Sequence, residues 1–173
     1  MKRDNSISID IKIRTLEPSD SLDELTALLH RSYRALAEMG LRYMATYQDV
    51  DVTRRRIEKG TCFVAEYDER IIATITYYPP LASRGSPWLE RPGVAHVGQL
   101  AIEPEFQRHG TATKLMLHCE SVARDDGADE LALDTSEDAK HLIEWYQRLG
   151  YRFVEYANWD VTNYRSVIMS KTV

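Results

Sequence analysis

Cysteine is scarce: Cys62 and Cys119 are the only two among 173 residues, far apart and each among apolar neighbours. Two cysteines make neither a disulfide framework nor a four-cysteine metal site. No run approaches the ~18 consecutive apolar residues of a membrane span. The first residues, Met1-Lys2-Arg3-Asp4-Asn5-Ser6, lack the apolar stretch of a signal peptide. Positive charge is short: 22 Lys and Arg against 27 Asp and Glu leave −5 with histidines neutral. Such a chain is a poor general binder of nucleic acid or anionic membrane, and is compatible with a cationic small molecule. Internal repeats, low-complexity tracts and linkers are missing too. What remains is 43% hydrophobic and 28% charged, the make-up of one α/β or α+β domain spanning residues 1–173, expected in the cytoplasm. At this length roughly 70% of the unfolded surface is buried, enough for a core without staples.

Period-two alternation in Ile7-Ser8-Ile9-Asp10-Ile11-Lys12-Ile13 predicts a half-buried strand, ended by Glu17-Pro18-Ser19-Asp20. Ser21, with Glu24 three residues on, has the capping-box spacing of a helix start. Leu22, Leu25, Leu28, Leu29, Tyr33 and Leu36 follow at helical spacing up to Gly40. A second, charged helix is expected over residues 47–59, its Arg54-Arg55-Arg56 run a solvated face. Residues 61–67 and 71–78, joined by Asp68-Glu69-Arg70, predict an antiparallel hairpin. Residues 81–93 form a long loop, either a substrate lid carrying Trp88 or a surface excursion whose Trp88 packs on the core. A strand at 94–102, a helix at 110–124, a strand at 131–134, a helix at 139–149 and strands at 151–156 and 164–170 complete the order β-α-α-β-β-β-α-β-α-β-β.

The chemistry is concentrated in residues 99–114, QLAIEPEFQRHGTATK. A strand feeds a short loop that opens a helix at Gly110. The first turn of a helix leaves N–H groups unpaired and carries partial positive charge. A glycine there lets an anion approach the backbone. Gln107, Arg108 and His109 add donors and one fixed positive charge. The loop therefore suits a phosphate, yet it is neither GxxxxGK[ST] nor GxGxxG.

Gln107-Arg108-His109-Gly110-Thr111-Ala112 fits Q/R-x-x-G-x-G/A, and so resembles the coenzyme A pyrophosphate motif of the GCN5-related N-acetyltransferases (GNAT). The Pro104-Glu105-Phe106 turn and the downstream Tyr146-Gln147-Arg148-Leu149-Gly150-Tyr151 resemble that family's flanking turn and its second signature. The resemblance covers essentially the whole chain. It implies a mixed, mostly antiparallel sheet of about seven strands flanked by about four helices, splayed between the fourth and fifth strands. Acetyl-CoA as co-substrate would lie in that cleft. The pantetheine arm would pair with Leu100, Ala101 and Ile102, and the backbone of Gln107, Arg108, His109, Gly110, Thr111 and Ala112 would hold the pyrophosphate. An oxyanion would be met by a backbone N–H near Leu100 to Ile102. Ala139 stands where many members carry an asparagine that touches the coenzyme, so that contact is either lost or supplied by another group, such as Ser136. No metal is implied.

Acetylating an amine requires a neutral amine and a proton for the leaving thiolate. A lysine-like amine of pKa about 10.4 is neutral in only about one molecule in 2,500 at pH 7. Tyr146 aligns with the family's tyrosine acid; its other reading is a packing residue. His96 is the base candidate, since an imidazole titrates near neutral pH and period two puts His96, Gly98 and Leu100 on one strand face; its other reading is a hydrogen-bonded strand histidine. Glu103 is expected to face solvent. Asp134 and Ser136 either contact substrate or cap the next helix, and His109 touches phosphate or merely occupies the loop. His30, His118 and His141 read as structural or surface, Cys119 as core. Tyr33, Tyr43, Tyr47, the 81–93 loop with Trp88, and Trp159 fall where the family forms its acceptor pocket. The expected activity is acetyl transfer to a small primary amine in a ternary complex. The alternatives are a non-catalytic CoA-sensing module and a protein lysine or N-terminal acetylase. Nucleic acid and membrane are not expected partners; a homodimer is compatible with the sequence.

Overall fold

The computed structural model describes residues 9–173. Seven strands form one sheet in the order β1-β2-β3-β4-β5-β7-β6, with β1 Lys12–Thr15, β2 Thr61–Tyr67, β3 Arg70–Tyr78, β4 Val94–Ile102, β5 Glu130–Ser136, β6 Arg152–Asn158 and β7 Arg165–Thr172. Only β4 and β5 run parallel; every other neighbouring pair is antiparallel. The helices are α1 Leu22–Glu38, α2 Met44–Tyr47, α3 Val50–Ile57, α4 Thr111–Asp125 and α5 Lys140–Arg148, with a 3₁₀ turn at Pro104–Phe106. This is the expected mixed α/β fold with five helices rather than about four.

Local chemistry accounts for most boundaries. The Ser21 hydroxyl accepts the Glu24 N–H at 3.2 Å and starts α1. The single helix expected over 47–59 is broken: Gln48 leaves the helical region with ψ near 142°, and Asp49 caps a new helix by accepting the Val52 N–H at 2.8 Å. The β2–β3 hairpin turns on Asp68 and Glu69, both at positive φ (49° and 60°). Two central residues at positive φ match the twist of the flanking strands. The first strand is shorter and later than the alternation suggests. Ile7 and Ser8 lie outside the described residues, but Ile9, Ile11 and Ile13 all pack on the main core, as their spacing requires.

That core lies between the sheet and the apolar stripe of α4, where Leu115, Met116, Cys119 and Ala123 meet Ile75, Val97, Leu131 and Leu133, with Tyr146 of α5. On the other face Leu28 and Leu29 of α1 and Ala45 of α2 pack on Ala101. Fully burying each such Leu or Met contributes about 1.5–3 kcal/mol. No helix among the described residues is long and apolar enough to cross a membrane.

Candidate active site

The site begins where two parallel strands part. β4 and β5 pair only at Val94–Glu130, Ala95–Leu131 and His96–Ala132. Beyond His96 each strand keeps only its outer neighbour, β3 or β7, and a cleft opens between them. Within the free stretch β4 carries a bulge: Gly98 faces Thr76 and Ala101 faces Thr74, so Gln99 and Leu100 oppose Ile75 alone. Gln99 sits at φ 55°. A bulge re-aims side chains, and this one inverts the alternation. Leu100 therefore does not share the face of His96 and Gly98. It packs against the main core and lines the cleft, while Gln99 turns to the opposite side.

Two cavities meet here. One, of about 500 Å³, runs from α1 to the start of α4 and is lined by Ile102, Gln107, Arg108, Gly110, Thr111 and Ala112, with His141 and Trp145 of α5. Gly110 is the N-cap of α4 at φ 78° and offers the helix no side-chain cap. The Thr111 hydroxyl is buried in this wall without a partner. An uncapped helix start with an orphaned hydroxyl fits a phosphate, whose oxygens accept both kinds of donor. Tightly packed elements hold the loop in place: Glu103, expected at the surface, is buried and accepts Arg31 Nη2 at 2.6 Å and Nε at 3.1 Å, with Arg70 3.4 Å away. Ser136 is fully buried, and its hydroxyl accepts the Asp138 N–H at 3.1 Å; it lines neither cavity. The Ile102 N–H donates to Ser32 Oγ at 3.0 Å. His109 and Ala101 lie outside both linings.

The second cavity, of about 400 Å³, adjoins the first and is lined by Tyr78 of β3, residues 96–100 of β4, and Leu133 and Asp134 of β5. Tyr33, Tyr43, Leu100, Asp134 and Tyr146 line both, so they mark the junction. Tyr43 ties the start of α2 to β5: its hydroxyl contacts Thr135 Oγ1 at 2.8 Å and accepts the Ser136 N–H at 3.0 Å. Tyr146 is buried, and desolvation together with the nearby Tyr33, Tyr43 and Asp134 drives its hydroxyl pKa well above the usual tyrosine value. It is a neutral donor at every physiological pH.

His96 lines the second cavity and stacks on Tyr78 at 5.6 Å. Its Nδ1 lies 3.1 Å from Ser83 Oγ, and its Nε2, buried and without a hydrogen-bond partner, lies at an ion-pair distance of 3.4 Å from Asp134 Oδ1. Asp134 Oδ2 accepts the Trp159 indole N–H at 3.0 Å. Burial pushes the Asp134 carboxyl up, but His96, Trp159 and the charge of Arg56 outweigh it and hold it below the ordinary carboxylate range. Trp88 lines neither cavity. It packs on Leu89, Val94, Ala132 and Ile168, with Arg91 over its ring at 4.2 Å. Tyr47 is exposed and ties its hydroxyl to the Val161 carbonyl at 2.6 Å.

Sequence reasoning did not single out Ser83 or Tyr78, and it read Arg56 as part of a solvated helix face and His141 as structural or surface; all four line a cavity. Nor does the net charge carry over. The second cavity presents Arg56, Lys59 and Arg84 against a single carboxylate, Asp134. Charges beyond a Debye length of about 8–10 Å are screened, so the wall rather than the −5 total sets the local field.

The geometry defines a class, and comparison with known proteins gives the same one. The model of the acetyltransferase (GNAT) family matches residues 22–151. The chain is 34% identical over 131 residues, 75% of its own length and 77% of the other's, to an S-(2-succino)cysteine N-acetyltransferase of Bacillus subtilis (strain 168). It is 29% identical over 136 residues, 76% and 74% of the two chains, to an S-alkylcysteine N-acetyltransferase of the same organism. A GNAT acetyltransferase of Elizabethkingia anophelis, solved with acetyl-CoA bound, shares the fold at a TM-score of 0.67 and 14% identity, over 94% of this chain and 98% of that one. The chain belongs to the GNAT family. It is an acetyl-CoA-dependent N-acetyltransferase.

Proposed function

We propose that this enzyme moves the acetyl group directly to the primary amine of a small acceptor seated in the second cavity, with both substrates bound at once. The observation that carries the reading is the meeting of the two cavities on the shared wall of Leu100, Asp134 and Tyr146. Acetyl-CoA supplies the activated acetyl group; the chain supplies position and proton control. The Gly110 end of α4 and the Thr111 hydroxyl hold phosphate, and the bulge at Leu100 sets where the free edge of β4 meets the coenzyme arm.

Asp134, ionised at the junction, faces the incoming ammonium. With that carboxylate beside Nε2, the His96 proton belongs on Nε2, which leaves Nδ1 as the basic nitrogen. Nδ1 accepts from the Ser83 hydroxyl, so the amine proton reaches His96 through Ser83 Oγ. Tyr146, too weak an acid to ionise, donates a hydrogen bond to the departing sulfur and orients it, and the second proton, shed by the attacking nitrogen as it becomes an amide, passes to that sulfur to give the free thiol of CoA. Cys62 and Cys119 line neither cavity, and burial pushes the Cys119 thiol up to about 12. Neither is placed to carry an acetyl group. The relatives' names point the acceptor toward small S-substituted cysteines.

The test is free-thiol release from acetyl-CoA with S-substituted cysteines, simple amines, other amino acids, aminoglycosides and peptides. Release with a small amine and not with peptides is expected. No release with any of them would remove the catalytic reading, and release with peptides alone would make the protein a protein acetylase.

A further inference from the structure

Arg56 is a charge that the transfer chemistry does not use. It lines the second cavity, is half-buried, and pairs with no carboxylate among the described residues. Several other arginines are matched: Arg14 with Asp20 and Glu66, Arg31 with Glu103, Arg152 with Glu130, Arg165 with Glu137. An unpaired guanidinium brought out of bulk water is costly unless something anionic meets it.

It is also held, rather than left to swing. Nη1 donates to Gln48 Oε1 at 2.6 Å. The Gln48 amide in turn donates to Gln99 Oε1 at 2.9 Å and to Thr53 Oγ1 at 2.8 Å. Gln99 completes the chain by donating to Thr76 Oγ1 at 3.2 Å. Gln99 is the bulge residue at positive φ, so the distortion that opens β4 toward the coenzyme also anchors Arg56. Gly98 clears the space beside it: a methyl there would lie 3.9 Å from Nη2 and 3.4 Å from the Tyr78 ring. Gly98 and His96 are two residues apart on one strand face, a span of about 6.6 Å, which leaves room for an amine near His96 and a carboxylate at the guanidinium. Lys59 and Arg84 extend the positive wall.

We propose that Arg56 is the receptor for a carboxylate on the acceptor, so that the enzyme takes amino acids and their anionic conjugates and discriminates against amines without a carboxylate. This rests on the acetyl-transfer reading above. A planar guanidinium with free N–H groups suits a carboxylate bidentately, and such charge-assisted bonds are among the strong ones.

The experiment compares kcat/KM for S-methylcysteine with that for 2-(methylthio)ethanamine, the same amine without its carboxylate, in the wild type, Arg56→Gln and Arg56→Lys. The wild-type ratio favours the amino acid; Arg56→Gln lowers that ratio about 10- to 100-fold, and Arg56→Lys restores part of it. A merely structural arginine would depress both amines together and leave the ratio unchanged, which would overturn the proposal. A second measurement does not need turnover: calorimetric binding of N-acetyl-S-methylcysteine to the full chain in the presence of CoA. At least 10-fold weaker binding to Arg56→Gln is expected, and equal binding to both proteins would overturn the assignment. If no amine releases thiol, the transfer reading fails while the binding measurement still decides on Arg56.

Discussion

Replacing Gly110 with alanine separates a backbone cost from a binding cost. Gly110 caps α4 at φ 78°, and a methyl added there would meet nothing within 4 Å. The substitution creates no clash, so its effect on folding is the left-handed backbone alone, about 1–2 kcal/mol. For a domain of this size that lowers Tm by about 2–8 °C. Gly127, just past the other end of the same helix, is a built-in control: φ 73° and open space again. Gly127→Ala has the same backbone cost and lies far from the cavity. The two variants are expected to melt alike. Only Gly110→Ala puts its methyl in the wall of the proposed phosphate site at the start of α4, and losing one charge-assisted contact there is expected to raise the KM for acetyl-CoA about 10-fold or more. Thermal melting and initial rates at varied acetyl-CoA read both quantities. Equal KM values in two equally destabilised variants would refute the phosphate role of this helix start.

His96→Ala should lower kcat by about 10²–10⁴-fold near neutral pH and by much less at high pH, where the amine is already neutral; an unchanged pH profile would exclude His96 as base. Ser83→Ala should reproduce most of that loss without altering the KM for acetyl-CoA; full activity would break the relay. Tyr146→Phe, which keeps the buried ring and removes only the donor, should cut kcat while leaving the melting temperature within a few degrees; unchanged turnover would retire Tyr146 from the chemistry. Asp20, bonded by Arg14 Nη1 at 2.7 Å, has its carboxyl held below the ordinary range by that guanidinium. A carboxyl whose folded pKa is depressed stabilises fully above its unfolded pKa of about 3.9 and loses that contribution as pH falls through the folded value. Denaturant melts at pH 7 and pH 3 should therefore differ less for Asp20→Asn than for the wild type; an equal difference would contradict the assignment.

Element existence was legible because it rests on local signals that agree with one another. Ser21 and Glu24, and the alternation at Ile9, Ile11 and Ile13, each do in the fold what their spacing implies. The loop from Gln107 to Ala112 was legible too, because a helix start is a backbone feature that glycine marks. Three things were not. The β4 bulge leaves no mark on composition, and it moves Leu100 to the other face from His96. Glu103 reads as a surface acid until Arg31, 72 residues away in sequence, arrives to pair with it. Arg56 sits in a run of three arginines whose other members are exposed; only the fold shows that the third points into a cavity. In each case the deciding contact is long-range, and hydrophobic period carries no information about it.

Direct transfer at the junction of the two cavities is tested most plainly by initial velocities with acetyl-CoA varied at several fixed concentrations of an S-substituted cysteine. Leu100, Asp134 and Tyr146 line both cavities, and if both substrates meet there the double-reciprocal lines intersect. Parallel lines would mean that the acetyl group first rests on the protein, with the Ser83 hydroxyl beside His96 as the place to look, and would contradict a transfer made in one step.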